Sequence, residues 1–552
     1  MPRVTRLTNE RRLDLVVGAL VLLAYVPLQL WLLQGPQPWD VGIYFNAAVH
    51  PETALHNLFT LRIGLIAPVR AAVLAFGPSE AAFYAAPLGF GVLLAGAVYG
   101  TTLALFRDRW VAAAAAFVTV LAPMYLLNSS LIFPDTGGTA VFTAGFLCLL
   151  LGARRAGQDE RTLAPVVCSA AAGFLFGWSV LIRDFMPILL PAVVAVMVLL
   201  HYPWRRAALL AAVALATVAL DPLYAAVQYG RPFLHLRALF VNRSSGPVTG
   251  NVEPLIAHFH EQLGDLFDTV AVFPRLLLSW QVGWVFLLLI AVFVVALVVL
   301  RDRRLVILGI WCFGVWAIMA VIGLGSLPSG RWILNITNIR YWYPVLPPLA
   351  MGALAGGYLL AARFLPPVRG LRVAYSIPAV LAVLAVVPGV AEYRSCAAKD
   401  VWASEPRARW HELRAWLARP EADRYMTIFT NKDTRRLSPL FTRGIFGDRT
   451  WPGRVRSFRR SDRLTILPPE SKEALVLIDK DLFRTSSDLD ELRADWSPVF
   501  VSEDGAMVLL AHHSMLTTST AAEESWWQVP DDLAKRRAAR GCGANPYAPP
   551  AA

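Results

Sequence analysis

Charged side chains are scarce in this 552-residue sequence. Asp, Glu, Lys and Arg make up 16% of the residues, whereas soluble domains carry about 25%. Hydrophobic residues make up 56%, and the mean hydropathy is +0.51. This composition excludes an ordinary soluble domain and a disordered chain, and it indicates that much of the protein lies in lipid.

Several catalytic and structural signatures are missing as well. Five cysteines are too few for a disulfide-rich scaffold of this length. The sequence has no P-loop, no G-x-S-x-G and no C-x-x-C motif. The usual signals of ATP hydrolysis, serine hydrolysis and thiol redox chemistry are therefore missing.

Lysine does not occur before Lys399, so the positive charge of the first part comes from arginine alone. Residues 1–393 hold 26 arginines against 17 carboxylates, a balance of +9, whereas residues 394–552 are at +3. The excess therefore belongs to the hydrophobic part, where basic residues set membrane topology. It does not indicate a nucleic-acid partner.

Long apolar runs of about 20 residues, the length that crosses a bilayer, recur through residues 1–393. They predict a polytopic α-helical membrane protein with eleven transmembrane helices. The predicted spans are 13–34, 80–106, 110–127, 136–153, 163–182, 185–201, 207–228, 281–300, 305–326, 343–363 and 373–392.

The arginines between these spans predict the orientation of the bundle. With the amino terminus in the cytoplasm, 17 arginines lie inside and nine outside, whereas six carboxylates lie inside and eleven outside. An odd number of spans places the carboxy terminus outside. We expect residues 55–77, which are apolar but interrupted by Arg62, Pro68 and Arg70, to form an interfacial helix in the first outer loop, 35–79. A second long outer loop covers 229–280.

After residue 393 the composition becomes that of a soluble domain. Residues 394–515 are predicted to form an extracytoplasmic α/β domain, and the polar tail 516–552 is expected to be flexible. The predicted strands are 425–430, 474–479, 498–502 and 506–511, and the predicted helices are 405–419 and 487–495. Cys396 and Cys542 either form a disulfide or remain free thiols.

Ionisable side chains gather at the outer ends of the predicted spans, where charge is costly and indicates function. They suggest a polar cavity at the outer membrane surface, with Asp40, Asp135, Arg183, Asp184, Asp221 and Arg340 as its candidate residues.

Each candidate also has a structural explanation. Asp135 after Pro134 is a suitable helix N-cap, Arg183 and Asp184 suit a turn with its own ion pair, and Asp221 suits a helix end. Asp40, in an aromatic-rich stretch, fits no cap pattern. His258 and His260 have the H-x-H spacing of a metal site, but exposed loop residues explain them as well.

Four stretches carry a family resemblance. They are W-D-V-G-I-Y-F-N-A-A (39–48), L-R-I-G-L-I-A-P with F-G-P-S-E (61–68 and 76–80), F-P-D with G-W-S-V-L-I-R-D-F-M-P-I-L-L-P (133–135 and 177–191), and R-Y-W-Y-P-V-L-P-P-L-A (340–350). In this order they resemble the GT-C superfamily of membrane glycosyltransferases, especially the branch of protein O-mannosyltransferases and lipid A aminoarabinose transferases. One departure is Val41, where many members carry a second acid.

The resemblance implies transfer of a sugar from a polyprenyl-phosphate donor to an acceptor hydroxyl on the outer face, with inversion. Asp40 is then the candidate base, and Asp135 a second catalytic carboxylate that orients Arg183, binds the acceptor or holds a divalent cation. The candidate residues for the donor phosphate are Arg340, Arg183, Arg62, Tyr341 and Tyr343. Those for the acceptor or for orientation are Asp184, Tyr44 and Asp221.

The implied partners are a lipid-linked sugar donor, membrane lipids and a glycan, lipid or protein acceptor. The expected location is a bacterial plasma membrane. Two other classes stay open on the sequence: a transporter or flippase for a lipid-linked precursor, and a non-catalytic membrane adaptor with an external binding domain. The transporter reading lacks the internal symmetry that such folds often show, and the adaptor reading leaves the outer Asp and Arg set unexplained.

Overall fold

A computed structural model describes residues 2–36, 40–51, 61–156, 163–235, 266–326, 338–365, 367–398, 407–448, 450–461, 464–466, 473–479 and 495–516, with Arg237 and Ile336. The predicted tail beyond residue 516, residues 487–494 of the predicted helix 487–495, Trp39, and the pair His258 and His260 lie outside these residues.

The first part of the described chain is helical, as the apolar runs predicted. Its helices are α1 (Pro2–Trp31), α2 (Asp40–Val49), α3 (Ile63–Phe76), α4 (Glu80–Phe106), α5 (Arg109–Val120), α6 (Pro123–Ser129), α7 (Pro134–Ala156), α8 (Leu163–Ile182), α9 (Leu190–Leu199), α10 (Trp204–Val218), α11 (Leu220–Tyr229), α12 (Leu266–Leu278), α13 (Gly283–Leu300), α14 (Arg303–Ser326), α15 (Leu346–Phe364) and α16 (Pro367–Ala398). Two 3-10 helices, Met186–Leu189 and Ile339–Val345, lead into α9 and α15.

Nine stretches of the described chain are long and apolar enough to cross a membrane. They are Asn9–Trp31, Glu80–Phe106, Pro134–Arg154, Leu163–Ile182, Trp204–Tyr229, Gly283–Leu300, Arg303–Ile322, Ile339–Phe364 and Ala374–Cys396. The pair α5–α6, bent by 64°, makes a tenth, and the bend follows from Pro123, which begins α6 and cannot continue the hydrogen-bond ladder of α5. The prediction of a polytopic helical membrane protein is confirmed.

The helix ends define two opposite faces of the bundle. On the first, the arginine face, Arg109 pairs with Asp14 at 3.0 Å, the Tyr375 hydroxyl donates to Asp108 at 2.7 Å, and the guanidinium of Arg304 lies 5.3 Å from the ring centre of Phe106. The ends of α1, α4, α5, α14 and α16 therefore meet there. The other ends of α1 and α4 lie on the second face, which we call the domain face.

The predicted span 185–201 is shorter than expected. A 3-10 helix of 4 residues and the 10 residues of α9 replace a helix of spanning length, because Pro187 and Pro191 stand at the start of these two elements. The segment still connects the two faces: it begins beside Arg183 and Asp184 on the domain face, and His201 after it lies 3.3 Å from Arg303 on the arginine face. The sequence therefore predicts its path correctly but its length incorrectly.

The stretch predicted as the first outer loop, 35–79, contains two short helices, α2 and α3. Helix α3, with Pro68 inside it, is a short apolar helix below spanning length. Of the predicted interfacial helix 55–77, residues 63–76 are helical, residues 55–60 lie outside the described residues, and the interfacial position stays a prediction.

The carboxy-terminal part contains a mixed sheet. Its strands are β1 (Thr427–Thr430), β2 (Arg454–Ser457), β3 (Arg459–Ser461), β4 (Leu464–Ile466), β5 (Leu475–Asp479), β6 (Trp496–Val501) and β7 (Met507–His512). Five of them form one sheet in the order β2-β1-β5-β7-β6, in which β1 is parallel to β2 and β5 whereas β7 is antiparallel to β5 and β6. All five residues of β5 are buried, as expected for a central strand covered on both sides.

Four strands and one helix of this domain match the sequence prediction within a few residues. The helix is α17 (Arg407–Leu417). Strands β2, β3 and β4 were not predicted, because each is only three or four residues long. Helix α16 continues to Ala398, past the predicted boundary at residue 393, and that boundary stays a prediction. Cys396 is disulfide-bonded; its predicted partner, Cys542, lies outside the described residues.

Helix α17 fixes the carboxy-terminal domain to the bundle through one carboxylate. Glu80, the first residue of α4, is 6% exposed in its side chain. It accepts hydrogen bonds from Arg407 Nε at 2.5 Å, His411 Nε2 at 3.0 Å and Arg414 Nη1 at 3.0 Å. Nearby, the Ala81 amide donates to the Ile445 carbonyl at 2.9 Å. The domain therefore packs on the face from which α4 starts, the domain face.

We expect Glu80→Gln to loosen this docking. The substitution keeps the size of the side chain but leaves Arg407 and Arg414 without their charged partner, and breaking a buried pair costs about 3 kcal/mol. Limited proteolysis of the purified protein should release the carboxy-terminal domain faster in E80Q than in the wild type. The exposed Glu421→Gln in the same domain is the control; equal cleavage of E80Q and E421Q would contradict the role of Glu80.

Candidate functional site

Asp40 begins helix α2 on the domain face. A carboxylate in the first turn of a helix is favoured by the helix dipole, which explains why the helix starts there. Its side chain is 30% exposed, and its Oδ2 lies 3.8 Å from Arg340 Nη1. Asp40 is thus a solvent-accessible carboxylate beside a guanidinium.

Asp135 lies in the first turn of α7 and is completely buried. Arg183 Nε is 3.0 Å from its Oδ1, and Arg340 Nε is 3.9 Å from its Oδ2. A buried carboxylate requires compensating charge, and the two arginines provide it. Since Arg183 follows α8 and Arg340 precedes α15, this carboxylate brings the ends of three spans together.

Aromatic rings support the two guanidiniums. Tyr341 lies between them, with its ring centre 4.7 Å from Arg183 Cζ and 5.7 Å from Arg340 Cζ. Phe185 stacks on Tyr341 at 5.4 Å, and Phe133 lies 5.4 Å from Arg340 Cζ. Cation–π contacts of this kind hold a guanidinium in place without using its hydrogen-bond donors.

One of those donors is unused within the described residues. Arg183 Nη2 is buried and has no hydrogen-bond partner there, whereas Arg183 Nε and Arg340 Nε lie 3.0 Å and 3.9 Å from Asp135. A buried N–H without an acceptor costs free energy. Arg183 Nη2 is therefore suited to an anionic ligand that supplies an oxygen acceptor.

Arg62 belongs to a second, connected branch of the site. It is buried, and it donates to the Tyr44 hydroxyl and to Asp184 Oδ2, the latter at 2.9 Å. Tyr44 lies one turn after Asp40 on α2. Arg62 therefore ties this helix to the turn that follows α8.

His235 extends this branch, and the sequence did not reveal it. Its Nε2 lies 3.3 Å from Asp184 Oδ1 and its Nδ1 lies 3.0 Å from Asp221 Oδ1. Burial opposes protonation of the ring, but hydrogen bonds to the two carboxylates outweigh burial and raise the pKa of His235 to about 9. The ring is thus an imidazolium at neutral pH that bridges two acids.

The same contacts govern the ionisation of Asp184 and Tyr44. Burial opposes ionisation of Asp184, yet Arg62 and His235 lower its pKa below the ordinary value. Burial raises the pKa of Tyr44 to about 12, although Arg62 acts in the opposite direction. Asp184 is therefore a carboxylate and Tyr44 a neutral phenol at physiological pH.

Tyr343 lies away from this cluster. Its hydroxyl donates to the Met124 carbonyl and accepts a hydrogen bond from Asn128 Nδ2 at 2.7 Å. It thereby fastens the entry of α15 to α6. The other predicted site residues lie in the two branches, and they are Asp40, Tyr44, Arg62, Asp135, Arg183, Asp184, Asp221, Arg340 and Tyr341.

No group of three or more His, Cys, Asp or Glu side chains in the described part of the chain is arranged to hold a metal ion. His235 is occupied on both ring nitrogens by carboxylates. A divalent cation at Asp135 stays a prediction.

No protein-family profile and no curated protein matches the chain. Among solved structures, ArnT from Cupriavidus metallidurans bound to undecaprenyl phosphate is similar at 14% identity and a TM-score of 0.53, over 92% of this chain and 99% of ArnT. The apo state of ArnT gives 14% identity and a TM-score of 0.50 over 94% and 100%.

An apo oligosaccharyltransferase of Archaeoglobus fulgidus has 16% identity and a TM-score of 0.49; the match covers 80% of this chain but only 64% of the archaeal one. The match to ArnT, in contrast, runs along nearly the full length of both chains and includes the helical bundle and the sheet domain. The chain therefore has an ArnT-like fold, as the resemblance carried by its four sequence stretches implied.

Proposed function

We propose that the protein transfers a sugar from a polyprenyl-phosphate donor to an acceptor hydroxyl at the domain face. The observation that carries the proposal is the arrangement of charges there: an accessible carboxylate, Asp40, adjoins Arg340, which with Arg183 flanks the buried Asp135. Glycosyl transfer from a lipid phosphate needs a base for the acceptor and fixed positive charge for the leaving group.

The two carboxylates differ in the roles that they can take. Asp40 is 30% exposed, so an acceptor hydroxyl can approach it, whereas Asp135 is completely buried and flanked by arginines. We therefore assign Asp40 as the general base. Asp135 orients Arg183 and Arg340 by its charge.

Arg340 and Arg183 are the proposed contacts of the donor phosphate. A guanidinium presents several fixed donors that match phosphate oxygens; within the described residues Arg183 Nη2 is buried without a partner, and the side chain of Arg340 is 25% exposed. As the bond to the sugar breaks, charge grows on the leaving phosphate, and donors already in place stabilise it without reorganisation. Tyr341 supports both guanidiniums. Tyr343 acts through the position of α15.

Arg62 and His235 are proposed to hold α2 in position. Arg62 contacts Tyr44 on that helix and Asp184 after α8, and His235 links Asp184 to Asp221 at the start of α11. Asp40 on the same helix is thereby kept near Arg340. We therefore assign Arg62 a positioning role in place of the phosphate contact that the sequence suggested.

The donor class follows from the fold and from the site together. ArnT has been observed with undecaprenyl phosphate, and the unused guanidinium donor of Arg183 suits the phosphate of such a carrier. Glycan, lipid and protein acceptors remain open. The clustered charges do not favour an adaptor, which has no use for a buried Asp–Arg pair at the membrane surface.

Two features support an outward orientation of the domain face. The opposite face collects most of the arginines between the spans, as cytoplasmic faces do. The disulfide-bonded Cys396 ends the last span on the domain side, and such bonds persist in oxidising compartments. The site then faces the exterior of a plasma membrane.

Asp40→Asn should lower transfer by at least ~10²-fold, because an amide cannot accept the proton of the acceptor. The assay follows radiolabelled sugar from a panel of polyprenyl-phosphate donors into membranes of cells that lack the gene, with each variant added back. Asp268→Asn is the control, since Asp268 is similarly exposed (29%) and pairs with Arg275. Transfer by D40N at the wild-type rate would remove the base assignment, and no transfer by the wild type from any donor would contradict the proposed function.

Because the imidazolium of His235 bridges Asp184 and Asp221, the protein should become less stable as the pH rises into the alkaline range. Because the pKa of His235 is raised from 6.5 to about 9, its contribution is complete below pH 6.5 and is lost as pH rises through 9. The melting temperature of the wild type should therefore fall between pH 7 and 10 more steeply than that of His235→Gln. The exposed His513→Gln should behave as the wild type; parallel curves for H235Q and the wild type would contradict the bridge.

The orientation is testable with a membrane-impermeant maleimide on intact cells. We expect labelling of Glu421→Cys, which is exposed on the carboxy-terminal domain, and none of Arg301→Cys on the arginine face. The parental chain gives the background, since the described free cysteines Cys148, Cys168 and Cys312 lie within spans. The reverse pattern would place the site in the cytoplasm.

A further inference from the structure

The arginine face contains a cavity of about 770 Å³, far from the proposed catalytic site. It lies between α1, α4 and α7. Its charged lining consists of Glu10, Arg11, Asp14, Arg107, Arg109 and Arg154. The volume falls within the range of small-molecule sites, about 300–1,000 Å³.

The charges in this cavity are not balanced. Asp14 is engaged by Arg109 at 3.0 Å, which leaves Glu10 as the other acid of the lining. Arg11, Arg107 and Arg154 have no carboxylate within ion-pair distance among the described residues. Arg154 is moreover an electrostatic neighbour of both Arg107 and Arg304, so like charges are held together here.

The walls of the cavity are aliphatic. Leu103 from α4 and Leu147 and Leu151 from α7 line it between the arginines and the bundle. The cavity is therefore amphipathic, with guanidiniums toward the membrane surface and leucines toward the bilayer core. A free inorganic anion would not contact the leucines favourably, whereas a lipid places hydrocarbon next to its phosphate.

Topology alone does not require this arrangement. Positive charge near the ends of spans sets orientation wherever it lies on the cytoplasmic side, but it does not need to surround a cavity shared by three helices. Basic pockets between transmembrane helices at this level bind anionic lipid headgroups, and the forked donors of arginine suit phosphate oxygens.

We propose that this cavity binds the phosphate headgroup of an anionic membrane lipid. Arg11, Arg107 and Arg154 contact the phosphate, and the leucine walls contact the first carbons of the acyl chains. The lipid would join α1 to α4 and α7 at the face opposite the site. The proposal is independent of the glycosyltransferase function.

The backbone at Arg107 offers a clean test. This residue caps α4 with a φ of 58°, in the left-handed region, and Arg301 caps α13 with a φ of 50° on the same face but outside the cavity. Asparagine tolerates this conformation better than most residues, so both Arg107→Asn and Arg301→Asn should preserve the helix ends. Arg154→Gln is combined with Arg107→Asn, and the exposed Arg205→Gln is combined with Arg301→Asn. Both double variants remove two positive charges from the arginine face, but only the first removes them from the cavity.

The experiment measures binding of dioleoylphosphatidylglycerol to the purified full-length chain in neutral detergent by native mass spectrometry. R107N/R154Q should bind it about 30-fold more weakly than the wild type, since each basic residue contributes about 1 kcal/mol. R205Q/R301N should stay within about threefold of the wild type. Dioleoylphosphatidylcholine, which has no net charge, should bind much more weakly to all three proteins.

Three outcomes would overturn the proposal: unchanged binding by R107N/R154Q, equal weakening by both double variants, or inorganic phosphate binding to the cavity as tightly as the lipid. Hydrogen exchange of the wild type gives a check that needs no variant. Phosphatidylglycerol should protect the amides near 103–109 and 151–155, and protection confined to other helices would also contradict the site.

Discussion

The burial of Asp135 is the constraint on which the domain face depends. A carboxylate without solvent access must have compensating charge, and in this chain the charge comes from Arg183 and Arg340, which stand at the ends of two other spans. The three helix ends cannot separate without leaving an uncompensated charge in a poorly hydrated region. A fixed arrangement of guanidiniums on the domain face follows directly.

Much of this arrangement could be predicted from the sequence, because its signals are local. Four charged residues each interrupt or flank a long apolar run: Asp40, Asp135, Arg183 and Arg340. A charge at such a position can be recognised from the sequence alone. Because consecutive spans run in opposite directions, the number of spans between these four residues places all of them on the same face. The bundle and the placement of these residues on one face follow from that pattern, whereas the sheet domain follows from the change of composition after residue 393.

The remaining features depend on tertiary contacts that no local pattern encodes. His235 falls in the predicted outer loop 229–280, and only the fold brings it between Asp184 and Asp221. Glu80 looks like an ordinary residue of a first helical turn, yet three side chains of α17, more than 300 positions away, converge on it. Tyr343 belongs to the motif 340–350 that resembles the family, but its hydroxyl is hydrogen-bonded to the Met124 carbonyl and to Asn128.

Helix α2 connects these features, since it is held from two directions. On one side Arg62 binds Tyr44; on the other the helix adjoins the carboxy-terminal domain, where a Cβ at Gly42 would lie in ordinary van der Waals contact, 3.4 Å from the Cβ of Arg436. Because Asp40 lies half a turn from Gly42, a shift of the domain would move the candidate base relative to Arg340. The contacts between Glu80 and α17 therefore affect the site through this packing. The sheet domain contributes no candidate site residue, but it helps to fix the position of α2.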